Sequence, residues 1–268
     1  MPLEYPDHFS ASAAAYARFR PQYPAGLFDW LATITPSRNR AWDCATGSGQ
    51  AAGPLAHLFR TVIASDASCA QLACAETCSP HRVASLAEST PIRTSSIDLV
   101  TVAQALHWFR LPPFIAEARR CLVPGGVLAT WTYSLCRIDS DVDAILREFY
   151  HQTLAGCWPP ERVHVETGYA NLDFPFIPIA PPAFIMAVEW NLDALLGYIG
   201  TWSAVRQYQL RSGADPIAAL RERLLPLWGD ADQARHTVWP LRLRVGRNEG
   251  EGLRRDLPVR RTIGVNVQ

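Results

Sequence analysis

The residues best placed to do chemistry stand in a short run, RAWDCATGSGQ at positions 40–50, which combines one carboxylate with small residues. Asp43 ends a strand-like stretch, and Ala45, Gly47 and Gly49 follow at alternate positions. Because glycine and alanine lack bulk, the backbone here can come close to a ligand and adopt dihedral angles that larger residues resist. A helix predicted at about 50–59 would point its unpaired N–H groups at the same ligand. The run therefore predicts a ligand site at a strand-to-helix turn.

Two cofactors fit this turn on spacing alone. The segment GSGQAA at 47–52 matches the dinucleotide pattern G-x-G-x-x-G/A, and Asp66 follows at about the expected distance of twenty residues. Asp43 distinguishes the two, because a carboxylate beside the first glycines would repel a pyrophosphate but could bind the ammonium of an amino-acid ligand. S-adenosylmethionine carries that ammonium. From the motif alone, a nicotinamide-dependent oxidoreductase and a glycine-rich turn without a ligand remain as alternatives.

With its acid at the strand end, the pattern Asp43-x-Ala45-x-Gly47-x-Gly49 resembles the first motif of class I S-adenosylmethionine-dependent methyltransferases. Ala45 stands where that family usually has glycine. The resemblance implies a Rossmann-like α/β fold and S-adenosyl-L-methionine as the cofactor. It also implies that the turn contacts the cofactor, with Cys44 included in the contact.

A second run, AQALHWF at 103–109, directly follows an apolar strand predicted at 97–103. In open α/β sheets, ligands bind at the carboxyl ends of the strands. The run is similar to a segment of the trans-aconitate methyltransferase-like proteins, a subgroup with a type 11 methyltransferase domain. This resemblance implies that Gln104 lies near the cofactor, and that His107 and Trp108 lie near the methyl acceptor. From the residues alone, a His-Trp pair on a loop also fits ordinary packing.

Two further segments match the same subgroup, RPQYP at 20–24 and TWSAV at 201–205. The resemblance implies that an N-terminal arm folds over the cofactor. We expect cofactor contacts from Tyr16 and Arg20 at the methionine end, Asp66 and Ala67 at the ribose, and Ala87 and Glu88 at the adenine. We expect acceptor contacts from Tyr23, Trp108, Trp131 and Trp202. The same residues also fit other roles. The aromatic side chains could pack in the core, Asp66 could cap a helix, and Arg20 could bind a carboxylate of the acceptor.

A particular order of elements is needed to bring these segments together. Helices are predicted at 7–20 and 25–34, followed by strands near 40–43, 61–65, 82–86, 97–103 and 127–133 that alternate with helices. Strands at 184–190 and 237–245 are predicted to pair as an antiparallel closing hairpin, with helices at 141–156, 192–209 and 215–227. The order predicts one α/β domain over 1–247 with a doubly wound, seven-stranded, mostly parallel sheet and helical lid pieces. We predict a disordered tail at 248–268.

The composition limits the partners that the chain can have. The 268 residues include 25 basic and 25 acidic side chains, so no net field would gather nucleic acid or an anionic membrane. Seven cysteines without a C-x-x-C pair predict neither a disulfide scaffold nor a metal site. No signal pattern and no long apolar run is present, which predicts a cytoplasmic location. We therefore expect a small-molecule acceptor, while the sequence indicates no oligomeric state.

The chemistry implied by the resemblance is in-line displacement of a methyl group from a sulfonium by an oxygen, nitrogen or sulfur nucleophile. The protein would contribute mainly by aligning the reacting atoms within about 3–3.5 Å and by excluding water. A carboxylate acceptor needs no base. For a hydroxyl or amine acceptor, His107 is the predicted general base, because an imidazole accepts a proton near neutral pH. A protein that binds the cofactor as a sensor, without turnover, is the alternative outside enzymology.

Overall fold

The computed structural model describes residues 19–75 and 81–250, and within them seven strands form the main sheet while two form a separate ribbon. The strands are β1 (Arg40–Cys44), β2 (Thr61–Asp66), β3 (His81–Ala84), β4 (Ile97–Ala103), β5 (Leu122–Thr132), β6 (Ile177–Pro178), β7 (Ile185–Trp190), β8 (Arg235–Pro240) and β9 (Arg242–Arg247). The helices are α1 (Ala25–Ile34), α2 (Ala52–Ala56), α3 (Cys69–Cys74), α4 (Leu111–Cys121), α5 (Ser140–Glu148), α6 (Arg162–Glu166), α7 (Leu192–Gly200), α8 (Ser203–Ser212) and α9 (Pro216–Trp228).

The main sheet has the strand order β3-β2-β1-β4-β5-β9-β6. Strands β1 to β5 pair in parallel, whereas β9 is antiparallel to both of its neighbours. The predicted Rossmann-like α/β fold with a seven-stranded, mostly parallel sheet is thereby confirmed. The central strand β4 is buried at six of its seven positions, as expected for a parallel strand covered on both faces.

The prediction of the closing hairpin was wrong in its strand boundaries. The single strand expected at 237–245 is two strands, β8 and β9, on either side of Leu241. Pro240 has no N–H to donate to a sheet, and the Leu241 N–H instead donates to the Phe184 carbonyl at 2.9 Å. Strand β8 pairs with β7 in the separate ribbon, and only β9 enters the main sheet beside β5.

Several helices differ in length from the sequence prediction. The helix after the glycine turn, expected at 50–59, has only five residues, in α2. The helix expected at 192–209 is divided into α7 and α8, with Thr201 and Trp202 between them. The helix expected at 141–156 is α5 followed by a π-helical turn at Phe149–Thr153.

Backbone hydrogen bonds hold Asn248 beside the start of β5. The Asn248 N–H donates to the Gly126 carbonyl at 2.8 Å, and the Gly125 N–H donates to the Asn248 carbonyl at 2.9 Å. The first residues of the predicted tail are therefore held against β5, while 251–268 lie outside the described residues. Among the described residues, no helix is long and apolar enough to cross a membrane.

Candidate active site

The glycine turn between β1 and α2 has the backbone geometry that the sequence predicts. Three of its residues lie in the left-handed region, with φ of 54° at Ala45, 54° at Gly47 and 85° at Gly49. Glycine adopts this region without steric cost, whereas alanine pays for it with a contact of its Cβ. Ala45 therefore holds a strained conformation at the position where the methyltransferase motif usually has glycine.

Asp43 occupies the end of β1, but its carboxylate is turned into the protein. The side chain is 1% exposed, and its two oxygens accept hydrogen bonds from Thr46 Oγ1 at 2.6 Å and Thr101 Oγ1 at 2.7 Å. Burial raises the pKa of Asp43 to about 6, against the lowering effect of these two hydrogen bonds. The expectation of an open carboxylate that binds a ligand ammonium directly is therefore corrected. The geometry shows instead a carboxylate that holds the glycine turn, and Cys44 beside it is also buried.

Asp66 ends the neighbouring strand β2 and faces the same turn. Its Oδ2 accepts the Gly47 N–H at 2.9 Å, and its Oδ1 accepts the Ser68 N–H at 2.8 Å. Ser68, rather than Asp66, caps helix α3, because its hydroxyl accepts the Gln71 N–H. Asp66 and Ala67 are half-buried at the strand end, where the predicted ribose contact would be made.

The loop after β3 lies along the same edge of the sheet. Ala87 is buried, and the Glu88 side chain is only 10% exposed. Glu88 Oε1 accepts the Arg110 N–H at 2.8 Å, just before helix α4 begins. Glu88 therefore fixes this loop against α4, and the adenine contact expected of Ala87 and Glu88 stays a prediction.

A cleft opens beside this edge, at the carboxyl ends of β4 and β5 and under the lid helices. Its lining, within the described residues, is Arg20, Gln104, His107, Trp108, Tyr133, Ser134, Trp158, Pro159, Arg162, Tyr198, Thr201, Trp202 and Ser203. Four residues expected near the cofactor or the acceptor thus share one cavity with His107: Arg20, Gln104, Trp108 and Trp202. The cleft is the candidate acceptor site.

Two arginines reach the cleft from opposite walls. Arg20 Nη1 donates to the Tyr133 hydroxyl at 3.0 Å, and its guanidinium lies over the Tyr198 ring at 5.2 Å. Arg162 Nε donates to the Tyr150 hydroxyl at 2.6 Å, and its guanidinium lies over the Trp158 ring at 4.7 Å. Both guanidinium groups thus lie over an aromatic ring and donate to a tyrosine hydroxyl.

Sequence reasoning missed Arg162 and Trp158 as site residues. The segment around 140–175 carries no motif, so no pattern in the sequence places Arg162 in the cleft. One weak indication was present: Arg162 is a cationic residue close to Pro159 and Pro160 in a predicted lid segment. The spacing of Trp131 and Tyr133 at period two predicts that both lie on one face, where the acceptor pocket and packing beneath a helix fit equally well. In the structure Tyr133 lines the cleft and Trp131 is fully buried.

His107 lies in the cleft wall with one side of its ring against the core. It is 9% exposed, and Nδ1 is 3.0 Å from the hydroxyl of Tyr169, which is fully buried. Burial, and then the nearby charges of Arg162 and His164, lower the pKa of His107 to about 3. The imidazole is therefore neutral at physiological pH. Trp108 packs beside it, with ring centroids 4.7 Å apart.

Gln104 also has a defined place, in the lining of the cleft beside the end of β5. Its φ is 55°, and its side-chain amide is bonded to the end of β5 through the backbone of Tyr133 and the hydroxyl of Thr132. The amide therefore belongs to the floor of the cleft. A cofactor contact through the backbone of Gln104 stays a prediction.

Tyr23 and Trp131 do not line the cleft, which corrects their assignment to the acceptor site. Trp131 is fully buried, and Tyr23 is 8% exposed. Their rings pack edge to face at 5.3 Å, and both pack against Phe28 of α1. The apolar face of α1 requires a partner on the sheet, and these two rings provide it. Tyr16 lies outside the described residues.

The chain is similar in sequence to proteins that carry methyltransferase names. A protein of Dictyostelium discoideum that carries a methyltransferase name is 30% identical over 236 residues, which cover 86% of this chain and 90% of that protein. The chain belongs to the class I S-adenosylmethionine-dependent methyltransferases. The methyltransferase domain family matches residues 42–130 of this methyltransferase, from β1 into β5.

Two further comparisons agree with this membership. A solved structure from Anaeromyxobacter dehalogenans, named as a type II methyltransferase, is 45% identical with a TM-score of 0.80 and covers 86% of this chain and 98% of its own. An uncharacterised methyltransferase of Mycobacterium tuberculosis is 36% identical over 122 residues, which are 45% of this chain and 49% of that protein. The membership confirms S-adenosylmethionine-dependent catalysis over the nicotinamide alternative. The trans-aconitate-like subgroup stays a prediction.

Proposed function

We propose that this methyltransferase transfers the methyl group of S-adenosylmethionine, by in-line displacement, to a small-molecule acceptor that carries an anionic group. The observation that carries the proposal is the charge of the cleft. Arg20 and Arg162 both line it, and no aspartate or glutamate is found among its thirteen described lining residues. A guanidinium binds carboxylate and phosphate oxygens through parallel N–H groups.

The cofactor would be held at the adjacent edge, by the glycine turn and by Asp66. A Cβ atom on Gly47 would find no heavy atom nearer than Gln71 Oε1 at 3.9 Å, so the space above the turn is open to a ligand. The buried carboxylate of Asp43 lies behind this space and favours a ligand with positive charge. S-adenosylmethionine fits, because its sulfonium and ammonium are both cationic.

The residues of the cleft suit the alignment of two reactants. When bound, S-adenosylmethionine supplies an electrophilic methyl group. Trp108, Trp158 and Trp202 line the cleft, and their rings keep water out while their faces tolerate a neighbouring cation. Arg20 and Arg162 would orient the acceptor by its anionic group. Fixed alignment is worth about 7–11 kcal/mol of a reaction barrier when the atoms are well placed.

The test uses S-adenosylmethionine labelled in its methyl group and a metabolite extract separated by charge beforehand. We expect labelled product from the anionic fraction. Arg162→Gln should lower kcat/KM for that product at least tenfold, because it removes a guanidinium that is already held in position. Arg206→Gln, an exposed arginine on α8 outside the cleft, is the matched control and should leave kcat/KM unchanged.

Two results would contradict the proposal. If labelled product forms from the neutral fraction alone, the acceptor has no anionic group for Arg20 and Arg162 to bind. The absence of demethylated cofactor with every fraction would favour the cofactor-binding sensor without turnover.

A further inference from the structure

We propose that Tyr150 is a positioning residue for anion binding, because its hydroxyl holds Arg162 Nε and stands between that arginine and Glu166. The two terminal nitrogens of Arg162, Nη1 and Nη2, are thereby left to bind an oxyanion, a carboxylate or phosphate, end-on. The inference rests on the proposed function, in which that oxyanion belongs to the methyl acceptor. It names the residue that keeps the guanidinium ready for the acceptor.

The direction of the two hydrogen bonds at Tyr150 follows from the groups on either side. Arg162 Nε lies 2.6 Å from the Tyr150 hydroxyl, and that hydroxyl lies 2.9 Å from Glu166 Oε1. A guanidinium only donates, and an ionised carboxylate only accepts. The hydroxyl therefore accepts from Arg162 and donates its single proton to Glu166. Burial raises the pKa of Tyr150 to about 12, so the hydroxyl keeps this proton at neutral pH.

The spacing of Arg162 and Glu166 gives this hydroxyl a second effect. The two residues begin and end the five-residue helix α6, and opposite charges four positions apart on a helix attract each other. The Tyr150 hydroxyl is interposed between them, with a hydrogen bond to each. Without the hydroxyl, the guanidinium would approach the carboxylate. A guanidinium that is already paired with a carboxylate has fewer donors left for a second anion.

Two aromatic rings support the guanidinium of Arg162 from its face. Its central carbon lies 4.7 Å from the centroid of the Trp158 ring and 5.4 Å from that of the Tyr150 ring. These two rings pack with their centroids 4.3 Å apart, and Trp158 Nε1 donates to the Tyr150 carbonyl at 3.1 Å. Arginine stacks on aromatic faces through its planar group, which leaves the N–H donors at the edge. Tyr150 therefore positions Arg162 through its hydroxyl and through the ring of Trp158.

The backbone that carries Tyr150 has an uncommon conformation. Tyr150 lies in the π-helical turn Phe149–Thr153, directly after α5. Turns of this kind are rare in proteins and occur frequently at functional sites. The Tyr150 side chain is 2% exposed, and its ring also packs edge to face against Trp202 at 5.9 Å. The buried turn therefore fixes the point at which the hydroxyl meets Arg162.

The remaining donors of Arg162 are open to a ligand. A guanidinium has five N–H groups, and Tyr150 uses the one on Nε. Arg162 lines the cleft, and Nη1 and Nη2 have no hydrogen-bond partner in the part of the chain that the structure describes. Neither nitrogen is among the fully buried polar atoms without a partner, so both keep accessible surface. The edge that these two nitrogens form matches two oxygens of a carboxylate or phosphate.

The hydrogen bond is tested by NMR of the cofactor-free protein labelled with ¹⁵N in arginine. Arg162→Gln and Arg206→Gln assign the Nε–H signals of these two residues. We expect the Arg162 proton to exchange with water about tenfold more slowly than that of Arg206, which is exposed on α8. Tyr150→Phe combined with Glu166→Ala removes both acceptors and should abolish this difference. Equal exchange rates in the wild-type protein would overturn the inference, even if Tyr150→Phe does not fold.

The anion site is tested with inorganic phosphate at constant ionic strength, followed by the shift of the Arg162 Nε–H signal. We expect a saturable shift in the wild-type protein and about fivefold weaker binding in Tyr150→Phe, because the guanidinium is no longer held. Tyr208→Phe removes a hydroxyl on α8, outside the cleft lining, and is the matched control. It should leave phosphate binding unchanged.

Glu166→Ala separates a positioning role from a merely structural one. Glu166 is exposed, so its removal should leave the fold intact. The substitution should strengthen phosphate binding about threefold more in the Tyr150→Phe background than in the wild-type background, because only there does Glu166 compete for Arg162. Equal effects in both backgrounds, or unweakened binding in Tyr150→Phe, would overturn the inference. If phosphate binds as expected but labelled product forms only from the neutral fraction, the proposed function fails and the role of Tyr150 in anion binding stands.

Discussion

The cofactor edge, formed by the glycine turn and Asp66, and the acceptor cleft are built by different kinds of contact. At the cofactor edge, hydrogen bonds join residues 3 positions apart, as in Thr46 to Asp43, or 19 positions apart, as in Gly47 to Asp66. In the cleft, Arg20 and Tyr133 are 113 positions apart, and His107 and Tyr169 are 62 apart. The cofactor edge therefore depends mainly on the local path of the backbone, with one long-range bond from Thr101 to Asp43 across 58 positions, whereas the cleft depends on how distant segments pack.

The largest expected effect is a loss of cofactor binding when the backbone path is changed. Gly47→Val should weaken S-adenosylmethionine at least 100-fold, which is about 2.7 kcal/mol, because φ is 54° and a β-branched side chain would enter the ligand space. Gly213→Val is the control, since Gly213 has a φ of 69° at the end of α8, away from both sites. Calorimetry should show weakened binding only in the first variant. If both variants bind S-adenosylmethionine with equal affinity, the backbone path at Gly47 does not determine cofactor binding.

The next effect concerns the buried carboxylate at the cofactor edge. The folded-state pKa of Asp43, about 6, lies above its usual 3.8, so its stabilising contribution is present below pH 4 and is lost as the pH rises through 6. The loss is on the order of 3 kcal/mol. Asp43→Asn should remove this pH dependence from the free energy of unfolding, measured with urea at several pH values. It should also weaken S-adenosylmethionine about tenfold at pH 7.5, because a negative charge behind a cationic ligand is gone. An unchanged pH profile would show that Asp43 does not titrate in this range.

A smaller effect separates the core from the cleft. Trp131→Phe should lower the free energy of unfolding by about 1–3 kcal/mol, because it leaves space against Tyr23 and Phe28. The KM for the acceptor should change less than twofold. Thermal unfolding and steady-state kinetics on the same preparation check both values. A large rise in KM with unchanged stability would return Trp131 to the acceptor site.

The smallest effect sharpens the description of the cleft. Tyr133→Phe removes the hydrogen bond to Arg20 but keeps the ring, and it should raise the KM for the acceptor about fivefold, which is roughly 1 kcal/mol. The affinity for S-adenosylmethionine measured by calorimetry should stay within twofold. If the cofactor affinity falls instead, Arg20 serves the cofactor, as the resemblance implied, rather than the acceptor.

The sequence predicted the fold more completely than the site. Alternating strands and helices were sufficient for the parallel part of the sheet, because parallel neighbours need a crossover connection and the central strand β4 is a nearly continuous apolar run. The closing strands were less predictable. Pro240 ends β8 in the ribbon, and β9 begins two residues later in the main sheet, so one predicted strand is divided between two sheets.

The sequence by itself determined the family, the parallel order of the sheet and the left-handed glycine turn, because these depend on residues that are close along the chain. Only the tertiary structure decided that Asp43 bonds inward, that Trp131 lies in the core and Tyr133 in the cleft, and that Arg162 joins Arg20. Those outcomes depend on which face of a strand meets α1 or the lid, and contacts across 62 or 113 positions leave no spacing pattern in the sequence.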